Sequence, residues 1–154
     1  MEDAQIRHME ANDLDQVISI ALSLPDAPFW PPLAYANALD PDARPRRVAL
    51  VAVCPRLGTI LGFSVASLVP PEAELEIIGV AAASQRQGLG QRLFRALAVE
   101  LGAAGVRDLL LEVRASNRAA LGFYRSLGFG QTALRPGYYV DPVEDAVLMR
   151  LRLE

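Results

Sequence analysis

Glu112 could remove a proton, and the residues around it are otherwise apolar. It interrupts residues 109–113, a run that is otherwise typical of a strand buried on both faces. A carboxylate there costs free energy unless it is paired or hydrated, so one interpretation is a salt bridge to Arg114 on the same strand face, or an edge position touching water. The other interpretation is a general base, tuned by partial burial for proton removal near neutral pH.

Tyr124 is the second side chain that could take part in proton transfer. With Asn117 and Leu121 it follows the spacing i, i+4, i+7, so the three residues share one face of a predicted helix that Ser116 or Asn117 could cap. Tyr124 could simply pack on this apolar face. Alternatively its hydroxyl, which needs a partner if buried, could give a proton to a departing thiolate.

A turn with two glycines, Gln85-Arg86-Gln87-Gly88-Leu89-Gly90, lies between a predicted strand and a long predicted helix. Gly88 and Gly90 allow the backbone to turn tightly and to approach a ligand, and the first N–H groups of the helix point outward unpaired. Such a turn could bind phosphate, with Arg86 and Arg92 adding charge, or it could be an ordinary loop before a surface helix. It lacks the Lys and Ser/Thr of the P-loop and the third glycine of the dinucleotide fingerprint.

The elements that must position these residues alternate along the whole chain, which predicts an α/β protein with a mixed sheet and helices on both faces. The predicted strands cover residues 5–9, 48–53, 60–69, 74–81, 106–114, 129–134 and 146–153. The first predicted helix begins after an N-cap at Asn12 or Asp13 and carries apolar residues at positions 14, 17, 18 and 22, and the others cover residues 33–39, 89–101 and 117–127. The proline-rich residues 25–32 are predicted to form a loop.

The bulk composition favours a single globular domain over residues 1–154, with 52% hydrophobic and 21% charged residues. The net charge of −3 argues against nonspecific nucleic-acid binding. No apolar run approaches the roughly 18–20 residues that span a membrane, and the N-terminus lacks the features of a signal peptide. One cysteine, Cys54, and one histidine make neither a disulfide nor a good metal site, so a cytoplasmic location and no metal are expected.

In their order along the chain, these segments resemble the GNAT superfamily of N-acetyltransferases over nearly the whole length. The resemblance rests on Ile78-Gly79-Val80, on the glycine turn, which fits Gln/Arg-x-x-Gly-x-Gly/Ala, and on residues 111–117 and 121–129. Within the superfamily the chain is similar to the RimI-type ribosomal-protein N-terminal-alanine acetyltransferases. That similarity rests on Glu-Val-Arg-Ala-Ser-Asn at residues 112–117, on Tyr138-Tyr139, and on Glu144-Asp145-Ala146. The chain departs from that group at residues 81–84, where Ala-Ala-Ala-Ser stands in place of Asp-Pro, and in the loop around residues 29–32.

The resemblance implies a GNAT fold of about seven strands, with a splay between the fourth and fifth strands that admits acetyl-CoA as co-substrate. The residues implied to bind this coenzyme are Ile78, Gly79, Val80, Arg86, Gln87, Gly88, Leu89, Gly90, Gln91 and Asn117. The pantetheine arm would pair with the strand and with Asn117, and the pyrophosphate would rest on the amides of the turn.

The resemblance also implies acetyl transfer to an amine, most closely the N-terminal α-amine of a protein or peptide such as a ribosomal protein. Glu112, directly or through a water, would remove the proton, the N–H of Val80 would stabilise the oxyanion, and Tyr124 would protonate the thiolate. Tyr138, Tyr139 and Trp30 would bind the acceptor. Because neighbours on a strand face opposite ways, one of the two tyrosines is expected to pack on the sheet.

Two other functions compete with N-terminal acetylation. The acceptor could be a small-molecule amine or a lysine side chain, and the acidic run Glu72, Glu74 and Glu76 would suit a cationic small molecule. The chain could also be a coenzyme-binding interaction module without turnover, which the presence of both Glu112 and Tyr124 argues against.

Overall fold

The computed structural model describes residues 3–153, and in this part of the chain seven strands form one mixed sheet. The strands are β1 (Gln5–His8), β2 (Arg46–Val53), β3 (Ile60–Val69), β4 (Glu72–Val80), β5 (Asp108–Arg114), β6 (Gly130–Val140) and β7 (Val143–Arg152). The helices are α1 (Leu14–Ser23), α2 (Pro32–Ala38), α3 (Leu89–Ala103) and α4 (Arg118–Ser126). The spatial order is β1-β2-β3-β4-β5-β7-β6, so the mixed α/β class predicted from the sequence is confirmed.

Helices cover both faces of the sheet, each above its own apolar cluster. On one face, α1 and α2 bury Val17 and Tyr35 against β2, β3 and β4. On the other face, α3 packs its stripe of leucines at positions 89, 93, 97 and 101 against the sheet, each at most 1% exposed. The four-residue spacing therefore predicted this buried face correctly.

The β4–β5 pair is the feature of the fold that creates a site. The two strands run parallel and pair only at Glu72↔Asp108, Ala73↔Leu109 and Glu74↔Leu110. Beyond Glu74, β4 continues to Val80 and β5 to Arg114 with no further ladder between them. The strands are thus joined at one end and open at the other, which confirms the predicted splay.

Ion pairs close the joined end of this V-shaped pair. Asp108 lies 3.1 Å from Arg150 and 3.5 Å from Arg152, both on β7, and Arg150 also lies 3.8 Å from Glu72 on β4. The hydrogen bond from Arg150 to Asp108 holds the pKa of this carboxyl below its usual range. Charges on three strands therefore fasten the sheet at the point from which β4 and β5 diverge.

The last hairpin differs most from the prediction. Strand β6 runs on through Pro136-Gly137 to Val140 instead of ending near residue 134, and β7 begins at Val143. Proline is tolerated because β6 is an edge strand, and the pairing of β6 with β7 is irregular between Arg135 and Tyr139. The other predicted boundaries lie within two residues of those observed.

Candidate active site

A cleft of about 620 Å³ opens where β4 separates from β5, between the first turn of α3 and the side of α4. Its wall includes every residue predicted to bind a coenzyme except Gln87 and Asn117. From α4 it adds Tyr124, Phe123, Ala119 and Ala120. The fold therefore brings the glycine turn, the free edge of β4 and one predicted catalytic residue into a single concave site.

The glycine turn forms the end of the cleft that suits an anion. The backbone φ is +63° at Arg86 and +78° at Gly88, so the chain curls before α3 begins at Leu89. The first amide with a partner inside the helix is that of Arg92, which donates to the Gly88 carbonyl at 3.1 Å. The preceding N–H groups have no acceptor within α3, and the positive end of its dipole lies behind them.

Gly90 lies in a closely packed position. A Cβ there would lie 3.2 Å from the Cζ of Phe123, so any side chain would require the Phe123 ring to move by a few tenths of an ångström. The guanidinium of Arg92 donates to the Ala4 carbonyl, a neutral partner, so it keeps its charge beside the turn.

The free edge of β4 offers backbone groups to the cleft. The Ala81 amide donates to the Leu61 carbonyl of β3 at 2.8 Å. Successive residues of an antiparallel strand direct their N–H and C=O groups to opposite edges of the strand. Gly79, like Ala81, therefore directs its backbone groups towards β3, whereas Ile78 and Val80 direct theirs into the gap between β4 and β5. The Val80 carbonyl accepts a hydrogen bond from the Gln85 side chain at 2.9 Å, which leaves the Val80 N–H directed at the splay.

Glu112 lies on β5 with its side chain 28% exposed. Arg135 Nη1 lies 3.9 Å from its Oε1, and interaction with this carboxylate raises the pKa of Tyr138. The salt bridge to Arg114 is wrong: Arg114 pairs with Glu144 at 3.4 Å and lies 4.2 Å above the Tyr139 ring. Strand β7 lies between β5 and β6, and this order brings a different arginine to Glu112.

The two adjacent tyrosines lie on the same side of β6, contrary to the expected alternation. Their ring centroids are 5.2 Å apart, whereas side chains on opposite faces of a regular strand diverge. The irregular pairing between Arg135 and Tyr139 breaks the alternation. Both rings therefore reach the neighbourhood of Glu112.

Tyr124 lies against the aromatic rings of Phe123 and Phe129, at centroid distances of 5.5 Å and 5.8 Å. Burial raises the pKa of Tyr124 to about 12. The phenol therefore keeps its proton throughout the neutral range and has it available to donate, in a hydrogen bond or as an acid.

Two predicted site residues have other contacts. The oxygen of Asn117 caps α4 by accepting the Ala120 amide at 3.1 Å, as the capping pattern predicted. Trp30 lies 5.1 Å from the Tyr35 ring, beside an apolar pocket of about 150 Å³ that shares no wall residue with the large cleft. Their roles in binding coenzyme and acceptor stay predictions.

A family model described as acetyltransferase (GNAT) family matches residues 14–129. The chain belongs to this family. It is 40% identical over 125 residues to N-alpha-acetyltransferase RimI of Mycobacterium tuberculosis strain H37Rv, covering 79% of this chain and 74% of that protein. Over 96 residues it is 46% identical to the ribosomal protein bS18-alanine N-acetyltransferase of Escherichia coli K12, covering 61% of this chain and 65% of that protein. The match thus spans slightly less than two thirds of the E. coli relative. The crystal structure of the E. coli ribosomal-protein-S18-alanine N-acetyltransferase superimposes with a TM-score of 0.82 at 34% identity, over 98% of this chain and 94% of that one.

Glu74 completes the polar surroundings of Glu112 in this GNAT chain. Glu72 forms an ion pair with Arg150, and Glu76 forms one with Arg47 at 2.8 Å. The acidic residues of β4 therefore have different partners. Partial burial raises the pKa of Glu74, and the charges of Glu76 and Glu112 add to this effect. The sequence marked the run as acidic, but only the pairing of β4 with β5 brings Glu74 near Glu112.

The described residues contain no group of three or more His, Cys, Asp or Glu side chains able to hold a metal ion. Within residues 3–153, no helix is both long and apolar enough to cross a membrane.

Proposed function

We propose that this chain, as one domain over residues 1–154, transfers the acetyl group of acetyl-CoA to the N-terminal α-amine of a protein. The acceptor class is that of its RimI-type relatives, with the terminal alanine of a ribosomal protein as the first candidate. The observation that carries the proposal is the open edge of β4, in a cleft whose wall also includes the amide-lined turn before α3 and Tyr124 of α4. Glu112 lies on the neighbouring strand β5, outside the wall of this cleft. We also propose a cytoplasmic location, where a free buried thiol such as that of Cys54 stays reduced.

In this proposal the coenzyme extends along the cleft. Its pantetheine amides pair with the backbone groups of Ile78 and Val80 in the manner of an added strand. Its pyrophosphate accepts hydrogen bonds from the amides at the start of α3, with the charge of Arg86 nearby. Asn117, whose oxygen caps α4, would contribute its amide nitrogen to the arm.

The proposed chemistry follows from which groups of the site and of the acceptor carry a proton at neutral pH. An α-amine has a pKa of roughly 7.7–8.0, so much of it is protonated and unreactive at neutral pH. Glu112 takes the proton, the nitrogen lone pair attacks the thioester carbonyl, and the Val80 N–H donates to the oxyanion. When the intermediate collapses the C–S bond breaks, and the protonated phenol of Tyr124 donates to the departing sulfur. The nitrogen gives up its second proton to solvent, and solvent returns one to the Tyr124 oxygen, so that the products are the neutral amide and the free thiol.

The α-amine is favoured over a lysine acceptor by its acidity. A lysine with a pKa near 10.4 holds its proton about 2.5 units more tightly, which adds roughly 3 kcal/mol to its deprotonation. A small cationic amine is the second candidate, because Glu74 adds a further carboxylate beside Glu112.

The test is release of free thiol from acetyl-CoA with a panel of acceptors. The panel contains short peptides that begin with Ala, Ser, Met or Gly, the same peptides with blocked N-termini, and small amines. Turnover that requires a free N-terminus and prefers alanine supports the proposal, and turnover with small amines alone refutes it. Glu112→Gln should lower turnover sharply near neutral pH with acetyl-CoA affinity nearly unchanged, whereas equal loss of coenzyme binding would make Glu112 structural.

A further inference from the structure

The turn between β5 and α4 is fastened to the beginning of β7. The Ser116 amide donates a hydrogen bond to Glu144 Oε1 at 2.7 Å, and the Ala115 amide donates to the Asp145 carbonyl at 3.0 Å. The bond to Asp145 joins two backbone groups, so it does not depend on the side chain at that position. The bond to Glu144 uses a side-chain oxygen, and Glu144 is therefore the part of this anchor that a substitution removes.

Helix α4 depends on this anchor because it buries few of its own side chains. Of its nine residues only Leu121 is buried, whereas α3 buries five residues against the sheet. Helix α4 nevertheless supplies Phe123 and Tyr124 to the wall of the large cleft. A segment with few buried apolar contacts opens more easily than a well-packed one. The position of Tyr124 at the cleft therefore depends also on how the turn before α4 is held.

The same carboxylate also reaches the last hairpin. Glu144 is the strand partner of Tyr139 in the pairing of β6 with β7. Its Oε2 lies 3.4 Å from Arg114 Nη1, and the Arg114 guanidinium lies 4.2 Å from the centre of the Tyr139 ring. Interaction with Ser116, and with Arg114 in the same sense, holds the pKa of the Glu144 carboxyl below its usual range. The side chain is only 17% exposed, so a largely enclosed carboxylate joins the turn before α4 to the arginine that covers Tyr139.

We propose that Glu144 is a positioning residue that joins the two halves of the active site. Its carboxylate fixes the turn that leads to α4, which places the Tyr124 hydroxyl at the departing sulfur. It also holds Arg114 above the ring of Tyr139, which is predicted to bind the acceptor. The proposal rests on the acetyltransferase function stated above. Two different oxygens perform the two roles, Oε1 towards Ser116 and Oε2 towards Arg114, so substitutions can separate them.

Two substitutions at position 144 separate these roles. Glu144→Gln keeps an oxygen that can accept the Ser116 amide but gives up the ion pair with Arg114, whereas Glu144→Ala gives up both. We expect Glu144→Gln to raise the KM for the acceptor about 2-fold to 5-fold, the size of a lost cation–π contact at an exposed site, with kcat nearly unchanged. Glu144→Ala should in addition lower kcat about 10-fold to 100-fold, because a small misplacement of a reacting group has an effect of this size. Arg114→Gln should reproduce the change in KM alone.

A double-mutant cycle tests whether the loss of kcat acts through Tyr124. If Glu144 places the Tyr124 hydroxyl, then Glu144→Ala should lower kcat by less than about 2-fold when it is introduced into Tyr124→Phe, since the hydroxyl is already absent. Losses that multiply instead would show that the two residues act independently and would overturn the proposal. The assays are run well below the melting temperature of every variant, so that unfolded protein does not contribute to the loss.

Amide hydrogen exchange tests the anchor without relying on turnover. The amides of residues 116–124 should exchange faster in Glu144→Ala than in the unmodified chain, and Glu144→Gln should restore the original rates. Thr132→Ala is the control, because it removes a hydrogen bond of 3.3 Å from the Thr132 hydroxyl to the Leu148 carbonyl, between the same strands β6 and β7. This variant should change neither the exchange of those amides nor kcat.

Unchanged exchange in Glu144→Ala, or an equal increase in Thr132→Ala, contradicts the anchor whether or not the chain is active. If the unmodified chain acetylates no acceptor at all, the proposed function fails, and the exchange experiment still decides whether Glu144 holds α4. The two failures are therefore distinguishable.

Discussion

Replacing Tyr124 with phenylalanine removes one oxygen from the cleft and leaves the surrounding aromatic packing in place. The ring lies between Phe123 and Phe129 in the closely packed wall of the site, and phenylalanine occupies nearly the same volume. The hydroxyl is in apolar surroundings, because burial raises its pKa to about 12. We therefore expect the fold and the affinity for coenzyme to be retained, with a melting temperature within about 2 °C of the unmodified chain.

The expected loss of turnover follows from one hydrogen bond to a developing charge. A hydrogen bond to a charged group contributes about 1.5–3 kcal/mol, which is about 10-fold to 150-fold in kcat. The raised pKa adds a second expectation for the unmodified chain. At pH 9 a phenol with a pKa of 12 is only about 0.1% ionised, against about 9% for an ordinary tyrosine, so Tyr124 should cause no decline of kcat between pH 7 and 9.

The assay is thiol release at saturating acetyl-CoA and acceptor, with coenzyme affinity measured separately by calorimetry. Tyr35→Phe is the matched control, since it removes a buried phenol oxygen from the opposite apolar cluster and should leave kcat unchanged. An unchanged kcat in Tyr124→Phe would make Tyr124 a packing residue. A loss of coenzyme affinity as large as the loss of kcat would equally refute the assignment as an acid.

Three further perturbations test other parts of the structure. Gly90→Val should weaken coenzyme binding at least about 10-fold by calorimetry, because even a Cβ at this position would lie 3.2 Å from Phe123. The control is Gly122→Ala on the open side of α4, which should leave coenzyme binding unchanged. Asp108→Asn should lower the melting temperature by about 2–4 °C at pH 7. Since the folded-state pKa of Asp108 is lowered, this contribution is complete above about pH 4, and the difference should shrink progressively in melts at lower pH. Glu74→Gln should raise the melting temperature by at most about 2 °C at pH 7, because a raised folded-state pKa marks a negative charge that destabilises the fold. At pH 4 Glu74 is largely protonated in the folded chain, so a gain in melting temperature that persisted unchanged there would contradict this explanation.

The sequence by itself determined the features that depend on neighbouring residues. The leucines of α3 are four residues apart, so their buried face could be predicted without knowing what covers it. The turn before α3 needs glycine at Gly88 because the φ there is positive, and the motif alone indicated the site. Glu112 could be recognised as anomalous because a carboxylate within an apolar strand is rare.

The tertiary structure decided which side chains meet. Strand β7 inserts between β5 and β6, and this order brings Arg135 and Tyr138 to Glu112 while Arg114 pairs with Glu144. Such pairings join residues that are far apart in the chain, so the spacing of neighbouring residues in the sequence does not predict the register in which the strands pair. The expected alternation of Tyr138 and Tyr139 failed for a related reason. An irregularity in the pairing changes which face a residue takes, and only the contacts of the folded sheet fix where that irregularity falls.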